Sequence, residues 1–340
     1  MTGPLHNDLL FATMSKVMDL VAPYTSSRLL ILMYHRFMHD NDEGYVTTQS
    51  VFRDQVEFIK RYFTVVALEE YLQLGESEKR KIRNPIALTV DDGYRNFYRH
   101  AFPVLKDSSV PATVYVPVNF IEHGQWMWQD KNKYILRNSS RPRITLEWNG
   151  LSHVFPVDTF EHLMDSLDKA YELCMEIPLE ERSIFSQALA EAAGVTLPEK
   201  PVPEFEPLSW EEVREMEGSG IHFGSHTMNH EILTQVDCSV ARIELSDSKR
   251  CLEERLGHEI YGFCYPNGSY SAEIVAAVEE CGYRYAVTTE GGFNIDPLSL
   301  AGLSRETPPL TGRYRSMLMH CCLKPLGHHL MSRMRKVFNN

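Results

Sequence analysis

Short, nearly uninterrupted apolar runs recur along this 340-residue chain, and each is followed by a segment with helical spacing. The runs are RLLILMYH (Arg28 to His35), PIALTV (Pro85 to Val90), TVYVPV (Thr113 to Val118), IHFG (Ile221 to Gly224), IYGFCY (Ile260 to Tyr265) and YAVT (Tyr285 to Thr288). Runs this short that do not alternate with polar residues predict strands buried on both faces. The segments between them carry apolar residues three and four apart, as in Phe52, Val56 and Ile59, and Trp210–Gly218, Ser239–Leu256 and Ala272–Cys281 read as helices in the same way. Strands alternating with amphipathic helices predict an α/β fold built on a parallel sheet.

The rhythm breaks at residues 123–207. That block opens with Trp126 and Trp128, turns β-like from Ile144 to Phe155, becomes helical to Ala193, and ends in the loop-forming run LPEKPVPEFEPL. It reads as an inserted subdomain within a catalytic domain spanning 28–305. Residues 1–27 precede that domain as a helical extension, with Leu9, Leu10, Val17 and Val21 at helical spacing. Residues 306–340 form a tail with no acidic residue after Glu306, in which Arg313, Arg315, Lys324, Arg333, Arg335 and Lys336 are interleaved with Met and Leu. A basic amphipathic tail suits peripheral contact with an anionic membrane surface, or packing on an acidic body.

The chain as a whole carries 34 Lys and Arg against 46 Asp and Glu, a net charge of -12, which argues against a nucleic-acid partner. No apolar stretch approaches the roughly 20 residues a membrane-spanning helix needs. None of the seven cysteines sits in a C-x-x-C pair, so a structural zinc site is not expected, and the N-terminus lacks the pattern of a secretory signal. The expectation is a reduced, cytoplasmic protein, membrane-associated on that side if the tail binds lipid.

The chemistry concentrates at strand ends. Asp91 and Asp92 directly follow the buried run PIALTV, where adjacent carboxylates are costly unless a cation or an Arg lies nearby. His226 and His230 are four residues apart in GSHTMNH, directly after another predicted strand. That spacing places two imidazoles on one face of a single helical turn. Two His and one carboxylate with open positions make a catalytic site for a divalent ion. Each motif alone has a plain structural use, in helix capping or packing. Together, both at the carboxyl ends of strands, they mark the face on which such barrels build active sites.

These residues resemble the polysaccharide deacetylase family, also known as the NodB homology domain or carbohydrate esterase family 4. LTVDDGY (Leu88 to Tyr94) is similar to the family's T-F-D-D-G motif, and SHTMNH (Ser225 to His230) to its H-[ST]-x-x-H motif. MYHR near the start, PATVYV and FCYPNGSY (Phe263 to Tyr270) agree with it. The resemblance covers about residues 28–122 and 207–305. It implies a distorted (β/α)7 barrel with the insertion added to it. It also implies Asp92, His226 and His230 as ligands of one divalent ion, Zn2+ first, with Co2+, Ni2+ or Fe2+ as alternatives. Asp91 would be the general base, and the reaction would be hydrolysis of an N-acetyl group on an amino sugar, with a backbone N–H near Asn267 facing the oxyanion.

The chain departs from the family pattern in two places. Cys264 stands where many members carry an Arg that steadies the base, and Asn267 stands in an aromatic position. The late L-x-H motif is replaced by LAGLSRETP, which contains no His. In the branch with an early Y-H motif the acid comes from the first strand, which assigns His35 as general acid. Arg305 is a candidate to brace Asp91 or to bind a substrate anion, Tyr94 to line the site, and Trp126 and Trp128 to stack on a sugar ring. The partner expected is an N-acylated sugar or glycan, lipid-linked if the tail binds membrane. Two other readings share these residues: a non-catalytic sugar-binding descendant of the fold, and a hydrolase of a non-sugar amide or ester.

Overall fold

The computed structural model describes residues 28–40, 46–295, 298–313, 316–317, 320–321 and 324. The expected N-terminal helix and most of the basic tail lie outside them. The chain divides into two compact units, one from the described parts of residues 1–122 and 207–340, the other His123–Glu206.

In the first unit, β1 (Arg28–Tyr34), β4 (Thr64–Val65), β5 (Pro85–Val90) and β6 (Ala112–Val116) come before the second unit in the chain, together with a small parallel pair, β2 (Phe37–Met38) and β3 (Thr47–Thr48). Every residue of β1, β5 and β6 is buried, as their unbroken apolar sequences require. β5 pairs in parallel with β1, β4 and β6. The second unit contributes β7 (Arg143–Trp148) and β8 (Leu151–Pro156). The first unit then resumes with β9 (Ile221–Ser225), β10 (Gly262–Cys264), β11 (Tyr285–Val287) and β12 (Asn294–Ile295). The parallel order is β1, β5, β6, β9, β10, β11, and β12 runs antiparallel against the start of β1.

The sheet curls until its ends meet. Leu303–Glu306 lies between β11 and β1, bridging Val287 through Leu303 and Leu32 through Glu306. Hydrogen bonds from Thr288 N to Leu303 O (2.9 Å) and from Glu306 N to Ile31 O (2.8 Å) close the ring. Alternate residues of β1 separate two cores. Leu30 and Leu32 join the large outer core under the helices, whereas Leu29 and Ile31 join Ala87, Tyr115, Cys264, Tyr285 and Leu303 inside the ring.

Outer helices cover the sheet as the spacing predicts. The helix Gln49–Tyr62 buries Phe52, Val56 and Ile59, and Thr48 caps it by accepting from Val51 N. Differences are local. The charged stretch before β5 holds the one-turn helix Glu76–Lys79, and the expected strand to Val118 stops at Val116, with a helix, Val118–His123, starting after Pro117. Met317 and Cys321 are buried in the outer core, and Lys324 pairs with the buried Glu306 at 3.2 Å, so these tail residues pack on the body.

The second unit has a core of its own, centred on Ile135, Ile144, Phe155, Cys174, Phe185 and Leu189. β7 and β8 form an antiparallel hairpin. Asn149 and Gly150, both at positive φ, make its two-residue turn, which matches the twist of the strands. Three helices, Trp128–Asn138, Phe160–Glu176 and Leu179–Ala193, complete the unit.

Candidate active site

The carboxyl ends of β1, β5, β9 and β10 converge in the first unit, and the closing segment Leu303–Glu306 joins them. Asp91 leaves β5 with its N–H on Tyr34 O (2.9 Å), and His226 leaves β9 with its N–H on Val116 O (3.0 Å). Asp92 and Gly93 both turn through positive φ, at 74° and 68°. At Gly93 a Cβ would stand 2.8 Å from Val116 Cγ1, so both the backbone and the space call for glycine.

Asp92, His226 and His230 meet as one group. Asp92 Oδ1 lies 3.5 Å from His226 Nε2 and 3.3 Å from His230 Nε2, and all three side chains are largely buried. Oδ1 is buried and accepts no hydrogen bond of good geometry. A buried carboxylate oxygen left in this state, between two imidazole nitrogens, is the arrangement a divalent cation satisfies. His226 Nδ1 faces Cys264 O at 2.7 Å, which commits the other ring nitrogen, Nε2, to the cluster. Burial draws the His226 imidazole below its ordinary range, favouring the neutral form that ligates. Burial pushes the Asp92 carboxyl up, but the two imidazoles outweigh it and hold the group well below the usual carboxylate range. The donor set therefore fits a divalent ion.

Asp91, His226 and Cys264 also offer three donor atoms in close range. That set is the poorer one. Burial pushes the Cys264 thiol well up, so it stays protonated, and both Asp91 oxygens are already engaged.

What engages Asp91 is Arg305. Its Nη1 and Nη2 donate to the two carboxylate oxygens at 2.7 Å each. Nε donates to Thr288 O (2.7 Å), Nη1 also to Thr89 Oγ1 (3.2 Å), and Nη2 also reaches Cys264 Sγ (3.2 Å). All five N–H groups are spent, and the side chain is fully buried. Arg305 is therefore placed to brace Asp91, with no donor left for a substrate anion. Burial drives the Asp91 carboxyl up, and the guanidinium reverses this, leaving it below the usual carboxylate range. His35 Nε2 stands 3.8 Å from Asp91 Oδ2, with 44% of its side chain exposed.

Four corrections to the sequence reading follow. His226 and His230 do not share a helical turn: Thr227 (φ 69°) and His230 (φ 59°) are left-handed, and the segment is a tight turn that stacks the two rings edge to face at 4.7 Å. Tyr94 is buried against Phe120, with Arg36 over its ring at 5.0 Å, so it presents no surface to a ligand. Trp126 is buried between Tyr134 and Phe205 in the second unit's interior. Trp128, half-buried, stacks on Tyr171 and receives the Arg182 guanidinium at 5.2 Å, so its ring is engaged in packing within the second unit. Asn267 is exposed, at φ 58°, in the turn after β10. Among the described residues, four of the seven non-glycine residues at positive φ, Asp92, Thr227, His230 and Asn267, lie in this region, where strain of this kind marks functional loops.

Sequence reasoning missed Glu244. It sits on the helix Cys238–Leu256 and accepts from the N–H groups of Met228 and Asn229, inside the His turn. Nothing in its spacing marks it, since it falls among surface charges of the same helix.

The family model for polysaccharide deacetylase matches residues 78–286. The Bacillus subtilis (strain 168) protein YxkH, named for that family, is 22% identical over 268 residues, which cover 78% of this chain. The chain spans 66% of that relative, just under two thirds of its length. The solved structure of the Streptococcus pyogenes deacetylase PplD in complex with acetate aligns with TM-score 0.58 at 20% identity, over 86% of this chain and 98% of that one. IcaB from Ammonifex degensii aligns with TM-score 0.51 at 18% identity, over 82% and 91%. At these identities the solved structures share the fold, a curled seven-strand α/β barrel.

Proposed function

The chain belongs to the polysaccharide deacetylase family, whose members are metal-dependent hydrolases, and on that premise we propose that it removes the N-acetyl group from an amino sugar of a glycan or glycan precursor. Asp92, His226 and His230 would hold one divalent cation, Zn2+ in the first instance. The observation that carries the reading is the pairing of two unlike aspartates: Asp92 beside two imidazoles with an unsatisfied oxygen, and Asp91 gripped by Arg305.

When bound, the cation polarises the amide carbonyl and acidifies a water. The remaining work falls to side chains. Asp91, kept ionised by Arg305, takes the proton of the attacking water as the new C–O bond forms. The two-point hold fixes the plane of its carboxylate, so the accepting oxygen does not have to be oriented at each turnover. His35, open to solvent beside Asp91, gives a proton to the sugar nitrogen as the C–N bond breaks, releasing acetate and a free amine. A backbone N–H at the exposed Asn267 turn faces the developing oxyanion.

The reading is supported by family membership and the donor set, and PplD, a deacetylase of similar fold, was solved in complex with acetate. The test is acetate release from a panel of N-acetylated sugars, acetyl esters and small amides, with and without divalent ions. Metal-dependent release from the sugars supports the proposal, whereas release from esters or small amides alone contradicts it. We propose in addition that the substrate lies at an anionic membrane surface, a reading that the basic composition of residues 306–340 supports. Equal liposome binding by the full chain and by a chain ending at Lys324 would remove that part.

A further inference from the structure

We propose that Glu244 is a positioning residue for the metal ligands His226 and His230, acting through the turn that joins them. The proposal rests on the metal site proposed above. The turn Thr227–Asn229 is not a shape the backbone takes up readily. Thr227 and His230 both hold left-handed φ without being glycine, so the surroundings must impose it.

Two sides of the first unit impose it. On one side, the carbonyls of Thr227 and Met228 accept from Val118 N (3.1 Å) and Asn119 N (2.8 Å). On the other, a single Glu244 oxygen, Oε2, accepts from Met228 N (2.9 Å) and Asn229 N (3.0 Å), while Oε1 accepts from Asn229 Nδ2 (2.6 Å). Asn229 Oδ1 then accepts from Asn119 Nδ2 at 2.7 Å, which links the two sides. Glu244 is 6% exposed, and among the described residues it makes no ion pair with a Lys or Arg. Burying a carboxylate without a cation is costly, and a residue needed only for packing would not be an acid. What the carboxylate supplies is three acceptances on one turn, two from peptide N–H groups between the metal-binding imidazoles and one from the Asn229 side chain. Groups behind a ligand set its direction, and their loss weakens metal binding rather than global packing.

The experiment compares the full chain with its Glu244→Ala and Glu244→Gln variants. It measures affinity for Co2+ alone, the visible spectrum of the bound Co2+, and the melting temperature of each metal-free protein. Glu244→Ala is expected to weaken Co2+ binding by about 10- to 100-fold and to alter the spectrum. Glu244→Gln keeps one acceptor oxygen for the two peptide N–H groups and should fall between Ala and wild type. If the folded variants lower the melting temperature yet bind Co2+ with wild-type affinity and spectrum, the proposal is overturned. Should Glu244→Ala fail to fold, Glu244→Gln decides alone, and unchanged affinity there overturns it. A wild-type chain that takes up no Co2+ overturns both this proposal and the metal-site reading, a result distinct from variants that match a binding wild type.

Discussion

Arg305 grips Asp91 through two parallel hydrogen bonds of 2.7 Å, although the residues are 214 positions apart in the chain. The closure of the barrel makes this possible. Leu303–Glu306 enters between β11 and β1 and delivers the Arg305 guanidinium beside Cys264 and onto Asp91.

Arg305→Lys keeps the charge and loses the fork. With the Asp91 carboxylate free to tilt, kcat/KM for acetate release should fall about 100-fold while the fold survives. Arg305→Ala goes further, because it strands a buried carboxylate, and should cost about 3–5 kcal/mol in a urea melt. Wild-type turnover in Arg305→Lys would show that the two-point hold is dispensable.

The Asp91 carboxyl sits below its usual range because Arg305 outweighs the effect of burial. A carboxyl whose folded pKa is depressed contributes stability above its unfolded value, about 3.9, and loses it as pH falls through the folded value. The stability gap between wild type and Asp91→Asn should therefore be level from pH 8 to roughly 4.5 and shrink only below that. Urea melts across this range check it, and a gap already closing between pH 7 and 5 would contradict the assignment.

His35 protonates the departing nitrogen in this account. His35→Gln should lower kcat on an N-acetyl sugar by about 100-fold, within the usual range for a lost general acid. It should have far less effect on an aryl acetate, whose leaving group needs no proton. Equal losses on both substrates would move His35 from proton donation to binding.

Gly93→Ala places a side chain at φ 68° and within 2.8 Å of Val116 Cγ1. The strain and the clash together should cost about 1–3 kcal/mol and tilt Asp92. Denaturant melts and Co2+ affinity measured side by side test this, with both expected to fall.

The strands were legible because burial on both faces leaves an unmistakable apolar run, as in β1 and β5. Asp91, Asp92, His226 and His230 were legible because the chemistry sits at strand ends in short motifs. The shape of the His turn was not, since a spacing of four suits a helix as well as a turn, and only the left-handed Thr227 and His230 decide between them. Arg305 could be named but not given one role, because its partner depends on where the ring closes. Glu244 stayed invisible, one of three glutamates on a charged helix. Trp126 and Trp128 misled, since an aromatic pair looks the same in a sequence whether it packs or binds sugar.

The most direct test is elemental analysis of the purified full chain and its Asp92→Ala variant, paired with acetate release from an N-acetylated sugar. The account predicts one divalent ion per chain in the wild type, and loss of both the ion and turnover in the variant. An Asp92→Ala protein that keeps a full equivalent of metal, or a metal-free wild type that turns over at full rate, would contradict it.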